Sequence, residues 1–195
     1  MTAENLVERC CGSEEILKGK FLHAFRDQVV MPNGSTSIRE YFKHPGAAMV
    51  IPLLSEHDGG CTVVMERQFR YPLGEVMVEF PAGKRDADES LLVCAQRELR
   101  EETGYTATHW ARAGSVCPAI AYSTERIDIW FARGLTRGAQ RLDQGEFLEV
   151  FSATSEELLT WCRDGTITDS KTLTGVMWLQ NVLLGQWALD WEVTP

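Results

Sequence analysis

The stretch GKRDADESLLVCAQRELREETGY, residues 83–105, is predicted to form a loop followed by a helix. Glu98, Glu101 and Glu102 fall within five positions of that helix, although like charges at helical neighbour spacing repel one another. A solvated surface helix would normally alternate glutamate with lysine. The crowding therefore indicates that these carboxylates hold a positively charged ligand.

The same stretch carries the signals of a helix that packs against a core. Leu91 and Leu99 stand eight positions apart and mark one apolar face. Asp86 or Asp88 is expected to cap the start of the helix. Gly104 stands where a helix that ends in the left-handed conformation favours glycine.

The polar face of this helix has the composition of a metal site. Glu98 and Glu102 are four positions apart and share one face, and Glu101 lies close to both. Divalent cations such as Mg²⁺ take oxygen ligands, and a bound cation removes the repulsion between the carboxylates. Arg97 can pair with Glu101 or with Glu89 and so fix the orientation of a ligand.

Composition limits the classes of partner. The chain has 195 residues, of which 44% are apolar and 24% charged, and its formal net charge is -9. That charge argues against a nucleic-acid partner or a membrane surface, which would need a basic face. No signal pattern or membrane-spanning run is present, which favours a cytoplasmic protein. The six cysteines form no CxxC pair and are expected to be free thiols.

Extended segments dominate the first two thirds of the chain. Strands are expected from Ile16 to about Phe42, with Asn33 and Gly34 forming a hairpin turn. The apolar runs 47–54 and 61–69 predict a second hairpin, whose first strand is buried on both faces. Further strands are expected within 75–83, 112–120, 126–133 and 147–153.

Two more helices are predicted near the C-terminus. Thr154 and Glu157 form a capping box at the start of one helix, which Gly165 ends. Segment 170–187 predicts the last helix, with Leu173 among its apolar positions, together with Met177 and Leu184. Mixed strands with few helices indicate either an α+β protein or an α/β protein built as an α/β/α sandwich, preceded by an antiparallel N-terminal strand region.

The order of the residues around the acidic helix is specific. It reads Gly83, five residues, Glu89, seven residues, Arg97–Leu99, one residue, Glu101–Glu102, one residue, and Gly104–Tyr105. This spacing resembles the Nudix box, with every defined position filled. The resemblance implies an α/β/α sandwich with a mixed sheet, and a metal-dependent hydrolase that cleaves the diphosphate of a nucleoside diphosphate linked to another group.

The resemblance also implies roles for individual residues. Glu98 and Glu102 would be metal ligands, with the backbone carbonyl of Ala82 as a third. Glu101 would be a further ligand or the group that activates water, and Arg97 would support the loop and helix. The implied cofactor is Mg²⁺, with Mn²⁺ as a substitute.

The flanking segments narrow the branch of the family. Residues 65–84 and 165–180 resemble the ADP-ribose pyrophosphatase branch, which includes hydrolases of other nucleoside diphosphate sugars. In that branch the N-terminal strands help to form a homodimer and reach the substrate site of the partner. The implied division is an N-terminal strand region over 1–45 and a Nudix hydrolase domain over 46–195.

Four side chains are candidates for substrate binding. Arg39 and Arg70 suit a diphosphate, because a guanidinium donates two hydrogen bonds at once, whereas the alternative for each is an exposed ion pair. Phe25 either stacks on a base or belongs to the core. Glu125 either contacts substrate or ends a strand. It follows the segment 117–119, which reads Cys-Pro-Ala where the branch usually has Ser-Pro-Gly.

A second departure concerns an acidic loop. The branch often carries Asp-Glu-x-Glu after the box, and this chain has Asp143, Gln144, Gly145 and Glu146. Glu146 is the candidate catalytic base, because Gln144 cannot accept a proton, and Gly145 would serve as a hinge. The alternative is a polar turn before a strand. Whether Glu146 or Glu101 activates the water stays open.

These observations favour Mg²⁺-dependent hydrolysis of ADP-ribose to AMP and ribose 5-phosphate. Alternative substrates are another nucleoside diphosphate sugar, such as GDP-mannose or ADP-glucose, or a diadenosine polyphosphate. An alternative of another class is a sensor that binds a nucleotide sugar without cleaving it. The box keeps all its carboxylates and the chain has no basic DNA-binding extension, which favours the enzyme.

Overall fold

The computed structural model describes residues 3–57 and 59–194. The chain divides into two compact units. The N-terminal unit consists of Met1–Pro45 and Ala119–Arg126, and the main unit consists of Gly46–Pro118 and Ile127–Pro195. No helix in the described parts of the chain is both long and apolar enough to cross a membrane.

The N-terminal unit contains a short 3₁₀ helix, Ala3–Leu6, and an antiparallel sheet of three strands in the order β1-β2-β3. The strands are β1 Arg9–Lys18, β2 His23–Val30 and β3 Thr36–Lys43. The predicted hairpin between β2 and β3 is confirmed, with Gly34 at a φ of +84°. The strand β1 begins at Arg9, earlier than the predicted start at Ile16. The sequence does not reveal this start, because β1 is exposed along its whole length and has no alternation of buried and exposed residues.

The main unit is built on an eight-stranded sheet in the order β10-β5-β4-β9-β8-β11, with β6 paired to β5 and β7 paired to β4. The sheet is mixed, because β4 and β9 run parallel and the other pairs run antiparallel. The strands are β4 Ala47–His57, β5 Gly60–Arg70, β6 Glu75–Glu79, β7 Ala82–Lys84, β8 Tyr105–Val116, β9 Ile127–Arg137, β10 Leu148–Thr154 and β11 Glu192–Val193.

Three helices cover the two faces of this sheet: α1 Leu91–Thr103, α2 Ser155–Asp164 and α3 Ser170–Leu183. Successive residues of β4 point to opposite faces. Val50 packs in a cluster with Leu99 of α1, whereas Met49 packs with Leu158 of α2 and Leu179 of α3. The predicted α/β/α sandwich with a mixed sheet is therefore confirmed.

The helix α1 begins later than the predicted cap. Ser90 is the N-cap, and its side chain accepts a hydrogen bond from the backbone amide of Val93. The predicted caps at Asp86 and Asp88 are wrong, because a cap must directly precede the first helical residue to reach the free amides of the first turn. The predicted ending is confirmed, since Gly104 is left-handed with a φ of 75°.

The helix α2 agrees with its predicted caps, whereas the apolar positions named for α3 do not all face the core. The capping box of α2 and its left-handed Gly165 are both present. In α3, Leu173 and Met177 are 37% and 49% exposed, so they lie away from the core. The helix instead approaches the sheet through Gly175, where an added Cβ would lie 2.9 Å from a ring atom of Phe80. The other buried positions of α3 are Lys171, Thr172, Val176 and Leu179.

Candidate active site

Four glutamates of the main unit are almost fully removed from solvent. Glu66 of β5 and Glu79 of β6 are 0% and 2% exposed, and Glu98 and Glu102 of α1 are 9% and 3% exposed. An ionised carboxylate in the interior is costly unless a cation or hydrogen-bond donors compensate for the lost water. The partners of these four groups therefore define what the site can hold.

Arg97 organises the loop that precedes α1. Its Nε and Nη2 donate to the two carboxylate oxygens of Glu89, both at 2.9 Å. Nη2 also donates to the carbonyl oxygen of Lys84 at 2.8 Å, and Nη1 donates to Glu98 at 2.7 Å and to Glu101 at 3.2 Å. The hydrogen bonds from Arg97 lower the pKa of Glu89 to about 2. Arg97 thus pairs with both of the partners that the sequence offered as alternatives, Glu89 and Glu101.

Gly83 leaves the space that the carboxylate of Glu98 occupies. A Cβ on Gly83 would lie 2.0 Å from the Cδ atom of Glu98, so any larger residue at position 83 would force that carboxylate to move. Burial raises the pKa of Glu98, although the hydrogen bond and positive charge of Arg97 oppose that effect. The glycine at the start of the acidic stretch therefore admits a buried carboxylate and leaves no room for a larger residue.

Glu102 lies one turn further along α1. Its Oε2 accepts a hydrogen bond from the backbone amide of Ala82 at 2.9 Å. Burial raises the pKa of Glu102 well above its ordinary value, and the negative charges of Glu66 and Glu98 raise it further. The structure thus brings together three of the residues predicted to form a metal site, namely Ala82, Glu98 and Glu102.

Glu79 is the best compensated of the four buried glutamates. Arg70 donates to both of its oxygens at 2.7 Å, and Lys171 of α3 also donates to it. Lys171 donates in addition to Asp169 at 2.9 Å, whose carboxylate caps α3 through the amide of Thr172. Burial would raise the pKa of Glu79, but Arg70 and Lys171 outweigh it and lower that pKa.

Glu66 has no direct cationic partner of this kind among the described residues, although the charges of Lys171 and Arg70 act on it. Among the described residues, neither of its carboxylate oxygens has a hydrogen-bond partner, and the side chain is fully buried. Burial, and then the charge of Glu79, raise the pKa of Glu66 to about 8. It is therefore a buried carboxyl group without a protein partner, on the same sheet as the compensated Glu79.

The acidic loop after β9 lies beside these glutamates. Glu146 accepts hydrogen bonds from the side chain of Gln68 and from the backbone amide of Asp143, both at 3.2 Å. Its negative charge raises the pKa of three of the four buried glutamates. Gly145 takes a φ of +88°, which favours glycine at that position. The loop therefore carries a carboxylate to the edge of the cluster.

Comparison with known proteins identifies the family. The NUDIX domain model matches residues 43–173, and the model for the nucleoside diphosphate sugar hydrolase N-terminal domain matches residues 8–42. The chain belongs to the Nudix family. The predicted membership is thereby confirmed, and the carboxylates described above lie on the helix and strands of the Nudix domain.

Relatives of this Nudix chain cover nearly all of its length. A protein named methanol dehydrogenase activator, from Bacillus methanolicus, is 37% identical over 89% of this chain and 92% of its own. A protein named ADP-ribose pyrophosphatase, from Bacillus subtilis, is 34% identical over 91% of this chain and 95% of its own. A solved ADP compounds hydrolase is similar in fold, with a TM-score of 0.80 and 19% identity over 92% of this chain and 95% of its own.

Nudix hydrolases use divalent metal ions, and the donors of this site suit such an ion. Within the described residues, no three or more His, Cys, Asp or Glu side chains already surround a common point as ligands. The chemistry nevertheless fits, because the cluster consists of carboxylates, which are hard oxygen donors. The fully buried and unpartnered carboxyl of Glu66 also lacks the positive charge that a cation would supply.

The candidates in the N-terminal unit lie in its three-stranded sheet. Arg39 donates from Nε to Glu8 at 2.9 Å and forms an ion pair with it through Nη2. Phe25 stacks on Tyr41 with their ring centroids 6.0 Å apart, and the Nζ of Lys43 lies 3.7 Å from the centroid of Phe25. Both side chains therefore have partners within their own unit, and their roles toward substrate stay predictions.

Glu125 belongs to the segment of the N-terminal unit that comes from later in the chain. Its backbone amide donates to Ser123, and its carboxylate lies 3.7 Å from Nε2 of His44. A cavity of about 240 Å³ in the same unit is lined by Arg39, Tyr41 and residues 120–124. Two candidates thus lie in or next to this segment, and their contact with substrate stays a prediction.

The sequence interpretation missed Glu66, Glu79 and Lys171. The signal that could have revealed the two glutamates is a single acidic residue inside an apolar run, as in VVME and VMVEF. A strand that reads as buried on the basis of its neighbours also buries the glutamate among them. Lys171 gives no such local signal, because its partner Glu79 stands 92 positions earlier.

Proposed function

We propose that this Nudix chain hydrolyses the diphosphate of ADP-ribose, giving AMP and ribose 5-phosphate, with Mg²⁺ as its cation and Mn²⁺ as a substitute. The observation that carries the proposal is the buried carboxylate cluster on the Nudix helix and its facing strands. The relative named ADP-ribose pyrophosphatase, which aligns over 91% of this chain, supports the choice of substrate.

In this proposal Glu98 and Glu102 hold the cation together with the carbonyl oxygen of Ala82. A divalent cation at such a site neutralises phosphate oxygens and lowers the pKa of a bound water. Arg97 keeps the carboxylate of Glu98 in place through its 2.7 Å hydrogen bond. The chain therefore supplies a carboxylate frame that is oriented before substrate binds, which is what positions a diphosphate for attack.

The proposed proton acceptor is Glu146. Its loop places a carboxylate at the edge of the cluster, where its charge acts on the buried glutamates. A carboxylate within reach of the attacking water can take its proton as the bond to phosphorus forms. Glu101 is the alternative acceptor, since it shares Arg97 with Glu98 and is only partly exposed.

Substrate recognition is assigned to Arg70 and to residues of the N-terminal unit. The two hydrogen bonds between Arg70 and Glu79 engage Nε and Nη2, so the guanidinium is held in a fixed plane. Its remaining terminal nitrogen is proposed to donate to a phosphate oxygen. Arg39 is proposed to contact the diphosphate and Phe25 to stack on the base. Glu125 is proposed to contact the terminal group.

The proposed assembly is a cytoplasmic homodimer. The N-terminal region 1–45 is proposed to mediate dimerisation and to contribute to the substrate site, and residues 46–195 are proposed to form the hydrolase domain. Support comes from the strand β1, which is exposed along its whole length, and from exposed apolar side chains such as Ile16, Leu17 and Ile38. A second copy of the chain would cover this surface.

A substrate panel tests the proposed function. Purified protein is incubated with ADP-ribose, ADP-glucose, GDP-mannose and a diadenosine polyphosphate, with Mg²⁺ or with EDTA, and the products are separated by chromatography. We expect AMP from ADP-ribose at the highest kcat/KM, and only with the cation. Preferential cleavage of another compound would replace the substrate, and tight binding without cleavage of any compound would contradict the enzyme and favour a sensor.

A further inference from the structure

Glu66 is a buried acid whose surroundings are incomplete. It lies in the middle of β5, is 0% exposed, and has no hydrogen-bond partner on either oxygen among the described residues. A buried carboxyl group without partners is costly whether or not it is ionised, because the neutral form also needs a donor and an acceptor. Its retention in the core therefore points to a ligand.

The register of the sheet directs Glu66 toward the active site. Glu66 stands opposite Glu79 across the antiparallel pair β5 and β6. Alternation along β5 places Gln68 and Arg70 on the same face as Glu66. Gln68 donates to Glu146 and Arg70 donates to Glu79, so the two residues that follow Glu66 on this face both contact carboxylates of the candidate site.

The basic side chains of the site hydrogen-bond to carboxylates other than Glu66 and Glu102. Arg70 and Lys171 hydrogen-bond to Glu79, and Arg97 hydrogen-bonds to Glu98. Glu102 receives a backbone amide but no ion pair among the described residues, and Glu66 receives neither.

Glu66 and Glu102 are thus left without a hydrogen-bonded or ion-paired cation among the described residues, and they lie close enough for the charge of Glu66 to act on Glu102. Once deprotonated, these two carboxylates would match the charge of one divalent cation.

We propose that Glu66 is a further carboxylate of the divalent-cation site, binding the cation or one of its coordinated waters beside Glu102 of the Nudix helix. The inference rests on the proposed function, in that it assumes a cation bound at the helix carboxylates. It adds to the box a ligand from strand β5, which lies outside the acidic stretch. The cation or its water would supply the direct contact that no described protein group makes with the oxygens of Glu66.

Direct binding of Mn²⁺ to the full chain tests this assignment. Mn²⁺ affinity and stoichiometry are measured by electron paramagnetic resonance on wild type, Glu66→Gln and Glu149→Gln. Glu149 is the matched control, because it lies on the neighbouring strand β10 with its side chain 69% exposed and pairs only with Arg67 among the described contacts. We expect Glu66→Gln to weaken Mn²⁺ binding by about tenfold or more, and Glu149→Gln to leave it unchanged.

Thermal unfolding provides a second readout that separates a ligand from a structural residue. Without metal, Glu66→Gln removes an uncompensated buried acid, so its Tm should equal or exceed that of wild type. With Mn²⁺ the gain in Tm should be smaller for the variant than for wild type. A merely structural glutamate would change Tm by the same amount with and without the cation. If Glu66→Gln does not fold, Glu66→Ala replaces it in both measurements.

The Mn²⁺ measurements distinguish failure of the Glu66 assignment from failure of the proposed function. If wild type binds Mn²⁺ and Glu66→Gln binds it with equal affinity, the assignment of Glu66 is wrong while the proposed function stands. If wild type binds no Mn²⁺, the proposed cation and the proposed function both fail. Weaker binding in Glu66→Gln alone, with the control unchanged, supports the assignment.

Discussion

Gly83 shows how one absent side chain supports a catalytic site. The carboxylate of Glu98 occupies the volume that a Cβ at position 83 would need, with only 2.0 Å between them. The requirement is steric, since the value of glycine here comes from space and not from backbone conformation. A residue of the box that carries no functional group is thus as constrained as the glutamates.

The first prediction is that Gly83→Ala displaces Glu98 and lowers kcat/KM for ADP-ribose by about a hundredfold. The control is Gly12→Ala, where the added carbon would meet Gln28 at an ordinary contact distance of 3.7 Å. Steady-state kinetics with circular dichroism checks both variants. A folded Gly83→Ala variant with normal kinetics would show that Glu98 has no fixed position in the reaction.

The second prediction concerns the base. Glu146→Gln should lower kcat by about a hundredfold or more and leave KM nearly unchanged, because general-base catalysis acts on the chemical step. Glu101→Gln, made in parallel, tests the alternative acceptor, and Glu149→Gln is the control. Near-normal turnover in Glu146→Gln together with a large loss in Glu101→Gln would move the role to Glu101.

The local part of the site could be predicted from the sequence, and the distant part could not. Helical spacing predicts that Glu98 and Glu102 share one face, because both belong to one continuous segment. The pairing of Glu79 with Lys171 depends on how β6 and α3 meet, which no local pattern encodes. The isolation of Glu66 is a property of its surroundings, so it was visible only once those surroundings were in place.

At the scale of the element, α1 and its preceding loop form one unit held by Arg97. The guanidinium bonds to Glu89 in the loop, to the carbonyl of Lys84 in β7 and to Glu98 in the helix. Because Glu89 is ionised against this guanidinium, the folded state holds its proton more weakly than the unfolded chain does. The loop geometry is therefore linked to pH.

The third prediction follows from that linkage. The pKa of Glu89 falls from 4.5 to about 2 on folding, so its contribution to stability is present above about pH 4.5 and is lost as the pH falls toward 2. Metal-free Glu89→Gln should be less stable than wild type at about pH 7, with the gap narrowing at about pH 3. Urea unfolding at both pH values measures it, and a gap independent of pH would contradict the role of Glu89.

Elements were predicted well where a local signal is strong. The capping box of α2 needs only Thr154 and Glu157, and it is present as predicted. The start of α1 was misplaced because two aspartates offered the same capping chemistry as Ser90. The strand β1 was largely missed because both its faces are exposed, so its sequence carries no alternation to read.

At the scale of the whole molecule, the predicted site residues belong to two compact units. The main unit contains the carboxylate cluster, and the N-terminal unit contains Arg39, Phe25 and Glu125. The match to the nucleoside diphosphate sugar hydrolase N-terminal domain covers residues 8–42, which lie within the N-terminal unit.

The fourth prediction is that the chain is a dimer. Light scattering coupled to size exclusion should give twice the mass of one chain, because the exposed strand β1 and its apolar neighbours favour a second copy. Introducing a charge by Ile38→Glu, at a residue 48% exposed in β3, should shift the equilibrium toward monomer. A monomeric wild-type protein with full activity would remove the proposed role of the dimer.

The measurement that tests the central claim most directly is AMP release from ADP-ribose by metal-free protein, before and after addition of Mg²⁺. Wild type is compared with the double variant Glu98→Gln/Glu102→Gln, which keeps the shape of both side chains and removes their charge. We predict that wild type releases AMP only after Mg²⁺ is added and that the double variant does not release it. AMP release by metal-free wild type at an undiminished rate, or a fully active double variant, would contradict hydrolysis at a cation held by these carboxylates.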